Sequence, residues 1–288
     1  MGGAEKLVNV VHSGLAWDMK YIRNERALSL DVVCQRLKWQ QSKLSRMENG
    51  QQHISDADLA SLLVIYEVHG QERRRLLHLA QRQDDPGRWE LDMPTELDDV
   101  PDKKGTLLRL EPEATALVDA ETVLIPGLAQ TADYAGAMMN AAGVLPEQAK
   151  RRVVIRMERQ SLLLKNGAPK FDMIVDEAAL RKIVGSRAIM ARQLRALLDL
   201  AERPNVRLWV VPFAASGNVA FYEPFYLMKL PRNKSVVLLE SKGSRVFLED
   251  QQKIDFFDRH AAKVVKAALN PAASIDFVAN LRKEHERE

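Results

Sequence analysis

The stretch LDVVCQRLKWQQSKLSRMENG, residues 30–50, decides how the N-terminal part of this chain is read. Its apolar residues recur at helical spacing in two short runs, Val33 with Leu37 and Leu44 with Met47, separated by a polar turn at Lys38–Gln40. Two helices joined so tightly must cross closely, and Cys34 supplies a small side chain for the crossing. With Leu44 and Met47 turned inward, the second helix presents Gln41, Ser42, Ser45 and Arg46 outward, with Lys43 close by. Those side chains suit a DNA groove. Glutamine pairs bidentately with adenine and arginine with guanine on their major-groove edges, and serine is short enough to let a helix approach.

Punctuation around the stretch fits the same reading. Ser29 is placed to cap a helix starting near Leu30, Gly50 to end the second one, and Ser55 with Asp58 to open the next. Met19 and Ile22 lie before it, and Leu59, Leu62, Leu63 and Tyr66 after it, at spacings of three and four. A run from Gln71 to Arg82 follows, so five compact helices are expected in the first 80 or so residues.

At these residues the segment resembles the Xre/lambda-repressor family of helix-turn-helix proteins, above all in QQSKLSRMENG, over roughly residues 15–68. The resemblance implies that Gln40, Gln41, Ser42, Lys43 and Arg46 enter the major groove of double-stranded DNA, and that Glu48 has a structural use. One residue departs from the family pattern: Lys38 stands at the turn position usually held by glycine, so it either takes a left-handed conformation or changes the turn. Lys20, Arg23, Arg26 and Lys43 are candidates for following phosphates. The local charge excess is small, which points to a homodimer on two half-sites. An ordinary helical hairpin with a solvated polar face, or one used for protein contacts, is the competing reading.

Charge divides the chain. Residues 1–83 carry 12 basic and 9 acidic side chains, residues 84–113 carry 4 and 10, and residues 114–288 carry 26 and 20. The acidic block begins DDPGRWELDMPTELDDVPDKKG, whose three prolines and two glycines interrupt helical periodicity. We therefore expect a mainly helical, α+β chain: a five-helix domain over 1–83, an acidic linker over 84–106, and a larger α+β domain with a small sheet over 107–288. Helices are expected at Leu145–Lys165 and Ser186–Arg203, and strands at Phe171–Val175, Val206–Phe213, Phe225–Leu230 and Ser235–Glu240. A last helical stripe runs from Ile254 to Leu269, suited to dimerisation or to an internal core contact, and breaks at Asn270-Pro271.

Several phrases beyond the linker form an ordered set: VLIPGLAQTADYAGAMM at 123–139, RMERQSLLL at 156–164, DEAALRKIVG at 176–185, QLRALLDLAERPNVRLWVVPF at 193–213 and ALNPAAS at 268–274. Together they resemble the C-terminal domain of the WhiJ-like regulators of filamentous actinobacteria. That resemblance implies transcriptional control, often beside a small acidic partner protein. Within the domain, Gln130 and Tyr134 at a loop-to-helix junction, and Arg159 with Glu177, are candidate ligand contacts; helix capping and an internal Arg–Glu pair are the structural alternatives. Trp209, Phe213, Phe221, Tyr222, Phe225 and Tyr226 either line a pocket or pack the core.

An enzyme is not expected. The six histidines show no H-E-x-x-H spacing, and the phosphate, dinucleotide and nucleophile-elbow glycine patterns do not occur. Glu111/Glu113 and Asp176/Glu177 read as surface acids. No metal or cofactor is expected. A single cysteine, Cys34, and the lack of a long apolar run or leader-like start point to a cytoplasmic, nucleoid-associated protein with no membrane part. The remaining alternative is a protein-interaction module, antitoxin-like or anti-regulator, with secondary DNA binding.

Overall fold

A computed structural model describes residues 10–81, 88–92, 106–241 and 244–287. The chain forms two compact units that divide between Trp89 and Glu90.

The first unit consists of five helices: α1 (Val10–Glu25), α2 (Leu30–Leu37), α3 (Gln41–Glu48), α4 (Asp56–Ile65) and α5 (Gly70–Gln81). They enclose one core in which Met19, Val33, Leu44, Met47, Leu59, Leu62, Leu63 and Tyr66 are fully buried, the apolar set expected from the spacing. The caps are also where the sequence puts them. Ser29 Oγ accepts from the Val32 amide and Ser55 Oγ from the Asp58 amide. Cys34 is buried among the core residues.

Four helix ends in this unit turn through left-handed residues. At Gly50 the φ of +67° suits glycine, but Ala27, Lys38 and Glu67 take φ of 51°, 54° and 52° despite their Cβ atoms. Each closes the last turn with a paired bond; at α2, Trp39 N–H donates to Cys34 O and Lys38 N–H to Gln35 O. Lys38 thus keeps the expected turn at a conformational cost.

The second unit is α+β. Its elements are β1 (Arg88–Asp92), whose first two residues precede the division, α6 (Thr106–Leu110), β2 (Ala116–Glu121), α7 (Ala132–Ala141), α8 (Pro146–Gln160), β3 (Lys170–Asp176), α9 (Glu177–Arg181), α10 (Arg187–Ala201), β4 (Val206–Val211), α11 (Phe213–Ser216), β5 (Phe225–Leu230), β6 (Lys234–Ser241), β7 (Ser244–Leu248), α12 (Gln251–Ala267) and α13 (Pro271–Arg287). The sheet runs β1-β7-β6-β5-β2-β3-β4. Strands β2, β3 and β4 are parallel, with Asp119 beside Met173 and Met173 beside Leu208. Strands β5, β6 and β7 complete the sheet antiparallel, and β5 sets Tyr226 opposite Asp119.

The sheet is larger than the small one expected. All four expected strands are present; β1, β2 and β7 were not foreseen, and β1 lies inside the segment read as a linker. The remaining linker residues, 84–87 and 93–105, lie outside the described residues. One face of the sheet, including Val118, Ile174, Leu227 and Val237, packs against Ile254, Ala261 and Val264 of α12. The stripe considered for dimerisation is therefore an internal core contact. Near the β4 edge, α10 and α13 pack together and against the strand, and Ser274 Oγ accepts from Val210 N–H at 2.9 Å.

Candidate nucleic-acid interface

Helix α3 has two unlike faces. Leu44 and Met47 are fully buried and Glu48 nearly so, whereas Gln41, Ser42 and Arg46 are exposed. At about 100° per residue, Gln41, Ser42, Ser45, Arg46 and Asn49 share a sector of about 140°. Lys43 falls beyond its edge, on the Met47 side.

Glu48 anchors the helix from behind. Arg23 Nε reaches its Oε1 at 2.7 Å and Nη2 its Oε2 at 2.8 Å, while Arg23 Nη1 also donates to Leu28 O at 2.8 Å. The Tyr66 hydroxyl on the far side donates to Glu48 Oε1 at 3.4 Å. The hydrogen bond to Glu48 raises the Arg23 pKa, and burial pushes the Tyr66 phenol far up. Both side chains stay protonated and hold α3 against α1 and α4. The structural role expected for Glu48 is what its contacts give it.

The basic candidates sort differently from the expectation. Arg23 is consumed in the buried pair, and Arg26 donates to the Tyr66 and Glu67 carbonyls, at 3.1 and 3.5 Å. Arg23, buried in its pair, is not placed to follow phosphates, whereas Arg26 is exposed. Lys43 is half-buried: its Nζ sits 2.6 Å from Asp58 Oδ1 and 4.0 Å from the centre of the Trp39 ring. Lys20 lies at the reading face instead, its Nζ 3.4 Å from Asn49 Oδ1, and Asn49 Nδ2 is 3.4 Å from Ser45 Oγ. Arg46 Nε donates to Gln52 Oε1 at 3.2 Å, which holds the guanidinium at the exposed surface. Gln40 is exposed at the N-cap of α3 and makes no side-chain cap.

Asn49 falls in the Glu-Asn-Gly helix end, and its helical phase relative to Ser45 is the sequence signal for it; Gln52 lies beyond the helix, where spacing gives no such signal. Arg36, at the end of α2, is likewise exposed.

The candidate ligand contacts of the second unit do not meet at one site. Gln130 Nε2 donates to Ile125 O at 2.7 Å and its Oε1 accepts from Arg156; Tyr134 is fully buried and its hydroxyl accepts from Ile125 N–H at 3.2 Å. Both serve the turn before α7, which Thr131 caps. Arg159 pairs in bidentate fashion with Glu111, at 2.9 and 2.7 Å, and not with Glu177. Glu177 instead accepts from Arg181 Nε at 2.6 Å and from Phe213 N–H at 2.9 Å. Glu111, Asp176 and Glu177, read as surface acids, are buried, since each has donors that stabilise its charge. Among the aromatics, Phe221, Phe225 and Tyr226 are buried in the core, whereas Phe213 and Tyr222 are exposed.

Among the described residues, no helix is long and apolar enough to cross a membrane, and no group of three His, Cys, Asp or Glu side chains is arranged to hold a metal ion.

Comparison with known families matches residues 15–76 to a helix-turn-helix domain, which supports DNA binding. No curated protein and no solved structure matches the chain. The remaining match is to a domain of unknown function (DUF5753) over residues 105–280, more than half of the chain, and the protein therefore belongs to that family, carrying its helix-turn-helix domain on the N-terminal side.

Proposed function

We propose that this chain is a sequence-specific transcriptional regulator of the Xre type that reads operator DNA through α3. It acts as a homodimer in the cytoplasm, on nucleoid DNA, and is not an enzyme. Its C-terminal unit receives a controlling ligand or partner, as in the WhiJ-like regulators it resembles, where the partner is a small acidic protein. One observation carries the reading: exposed Gln41, Ser42 and Arg46, with half-buried Ser45 between them, form a polar face on a helix whose opposite face is pinned by Leu44, Met47 and the Arg23–Glu48 pair. Pinning reduces the freedom that binding must remove, so these side chains meet base edges from a fixed frame. Two copies would present their α3 helices to half-sites about one helical turn, ~34 Å, apart.

A genome-wide map of bound DNA, made with the natural chain and with the Gln41→Ala/Arg46→Ala variant, tests the reading. Discrete sites sharing a two-fold motif, lost in the variant, are expected. Stable capture of a small protein with no duplex binding at low salt would select the protein-interaction module instead.

A further inference from the structure

Arg46 is tied at both ends by the turn that follows it. Helix α3 ends where Gly50 takes a φ of +67°, which a residue with a Cβ adopts only at a cost. The left-handed turn closes with two bonds, Gly50 N–H to Met47 O at 3.1 Å and Gln51 N–H to Arg46 O at 2.8 Å. It also doubles the chain back over the last turn of the helix, so that the Gln52 amide reaches the same Arg46 carbonyl at 3.2 Å. From there the two side chains meet, Gln52 Oε1 accepting from Arg46 Nε at 3.2 Å.

That contact decides which part of the guanidinium is left. A guanidinium grips two acceptors through one of two edges, Nε with Nη2 or Nη1 with Nη2. With Nε spent on Gln52, the first edge is closed. Among the described residues, neither Nη1 nor Nη2 of Arg46 donates to a protein acceptor. Arg23, the other arginine on α3, is the contrast: its Nε, Nη1 and Nη2 are all bonded inside the protein. Gln52 is neutral, so it orients the Arg46 guanidinium without cancelling its charge.

Guanine presents N7 and O6 side by side on its major-groove edge, and no other base sets two acceptors there. The parallel N–H bonds of an Nη1/Nη2 fork match that pair. An untethered surface arginine must give up its rotamers to make the match, whereas a tethered one has given up part of them before binding. We propose that Gln52 is a positioning residue for base reading: by holding Nε it leaves Arg46 the Nη1/Nη2 fork, and so selects guanine at the base pair that Arg46 meets. The proposal rests on the reading of α3 as the helix that enters the groove. Gln52 acts through Arg46 and reads no base itself.

Selection of bound duplexes from a random pool by the full chain, followed by affinity measurements on every single-base-pair change of the selected site, tests this. The base pair whose preference disappears in Arg46→Ala is the one that Arg46 meets, and guanine is expected there. Gln52→Met, which keeps the length and loses the acceptor, should lower the preference for guanine at that base pair about fivefold and leave the other base pairs unchanged. Gln52→Ala is a second variant without the acceptor, and thermal melting shows which of the two is folded. Gln52→Glu keeps an acceptor and should retain the preference, even as its charge weakens binding to all duplexes alike. In an Arg46→Ala background, removing the Gln52 acceptor should change nothing further.

A base other than guanine under Arg46, or none, would overturn the proposal. So would an undiminished preference in a folded variant without the acceptor, an equal loss on all duplexes, a loss that persists without Arg46, or a lost preference in Gln52→Glu. Those results leave the regulator reading standing. That reading falls, and takes the proposal with it, if the natural chain selects no common site.

Discussion

Arg23 on α1 and Glu48 on α3 form a two-pronged ion pair, 2.7 and 2.8 Å, whose side chains are 10% and 3% exposed. Removing one partner strands a buried charge, at a typical cost of about 3–5 kcal/mol. Glu48→Ala should therefore unfold the helix-turn-helix unit at markedly lower urea concentration. Replacing both residues by methionine should recover much of that loss. Equal instability of the single and double variants would show that the pair is not what holds α3.

Lys38 points to a gain. Its φ of 54° is one that a side chain makes costly and glycine does not. Lys38→Gly should raise the stability of the first unit by about 1 kcal/mol, measured by thermal denaturation. A loss of stability would mean that the lysine side chain contributes more to the turn than its backbone strain costs.

The two lysines near α3 should part company in a salt titration. Lys20 lies beside Asn49 at the reading face, and its replacement by alanine should reduce the slope of log affinity against log salt by about 0.9. Lys43, held by Asp58 and Trp39, should change stability more than slope when replaced. Identical slope changes would place both on phosphates.

Acid titration reports on Asp119 together with its neighbour Glu121, both raised first by burial. The Asp119 folded-state pKa is raised to about 7, so the folded protein binds the proton more tightly than the unfolded chain does. Its contribution to stability thus falls as pH rises from about 4 toward 7, and the penalty stays constant above that. Asp119→Asn, which never ionises, should flatten this dependence and melt higher than the natural chain at pH 8. An unchanged pH profile would mean that Asp119 is not the titrating group.

The first unit was largely legible in the sequence because its determinants are local. Val33, Leu37, Leu44 and Met47 fix the two inner faces by spacing alone, and Ser29 and Ser55 mark helix starts. Long-range pairing was not legible. A linear pattern does not show that Glu48 lies opposite Arg23, a candidate for phosphates, or that Asp58 lies beside Lys43. In the second unit, β2 went unseen for a related reason: Asp119 and Glu121 break the apolar alternation that marks a strand. The Arg159–Glu111 pair joins residues 48 apart, beyond the reach of any periodicity.

Equilibrium binding of operator and random duplexes tests the central claim, that the exposed face of α3 tells one base sequence from another. Gln41→Ala and Arg46→Ala should each cut the difference between operator and random DNA by about 1–3 kcal/mol, while leaving nonspecific affinity nearly unchanged for Gln41. Equal losses on both duplexes, or no loss on either, would contradict it.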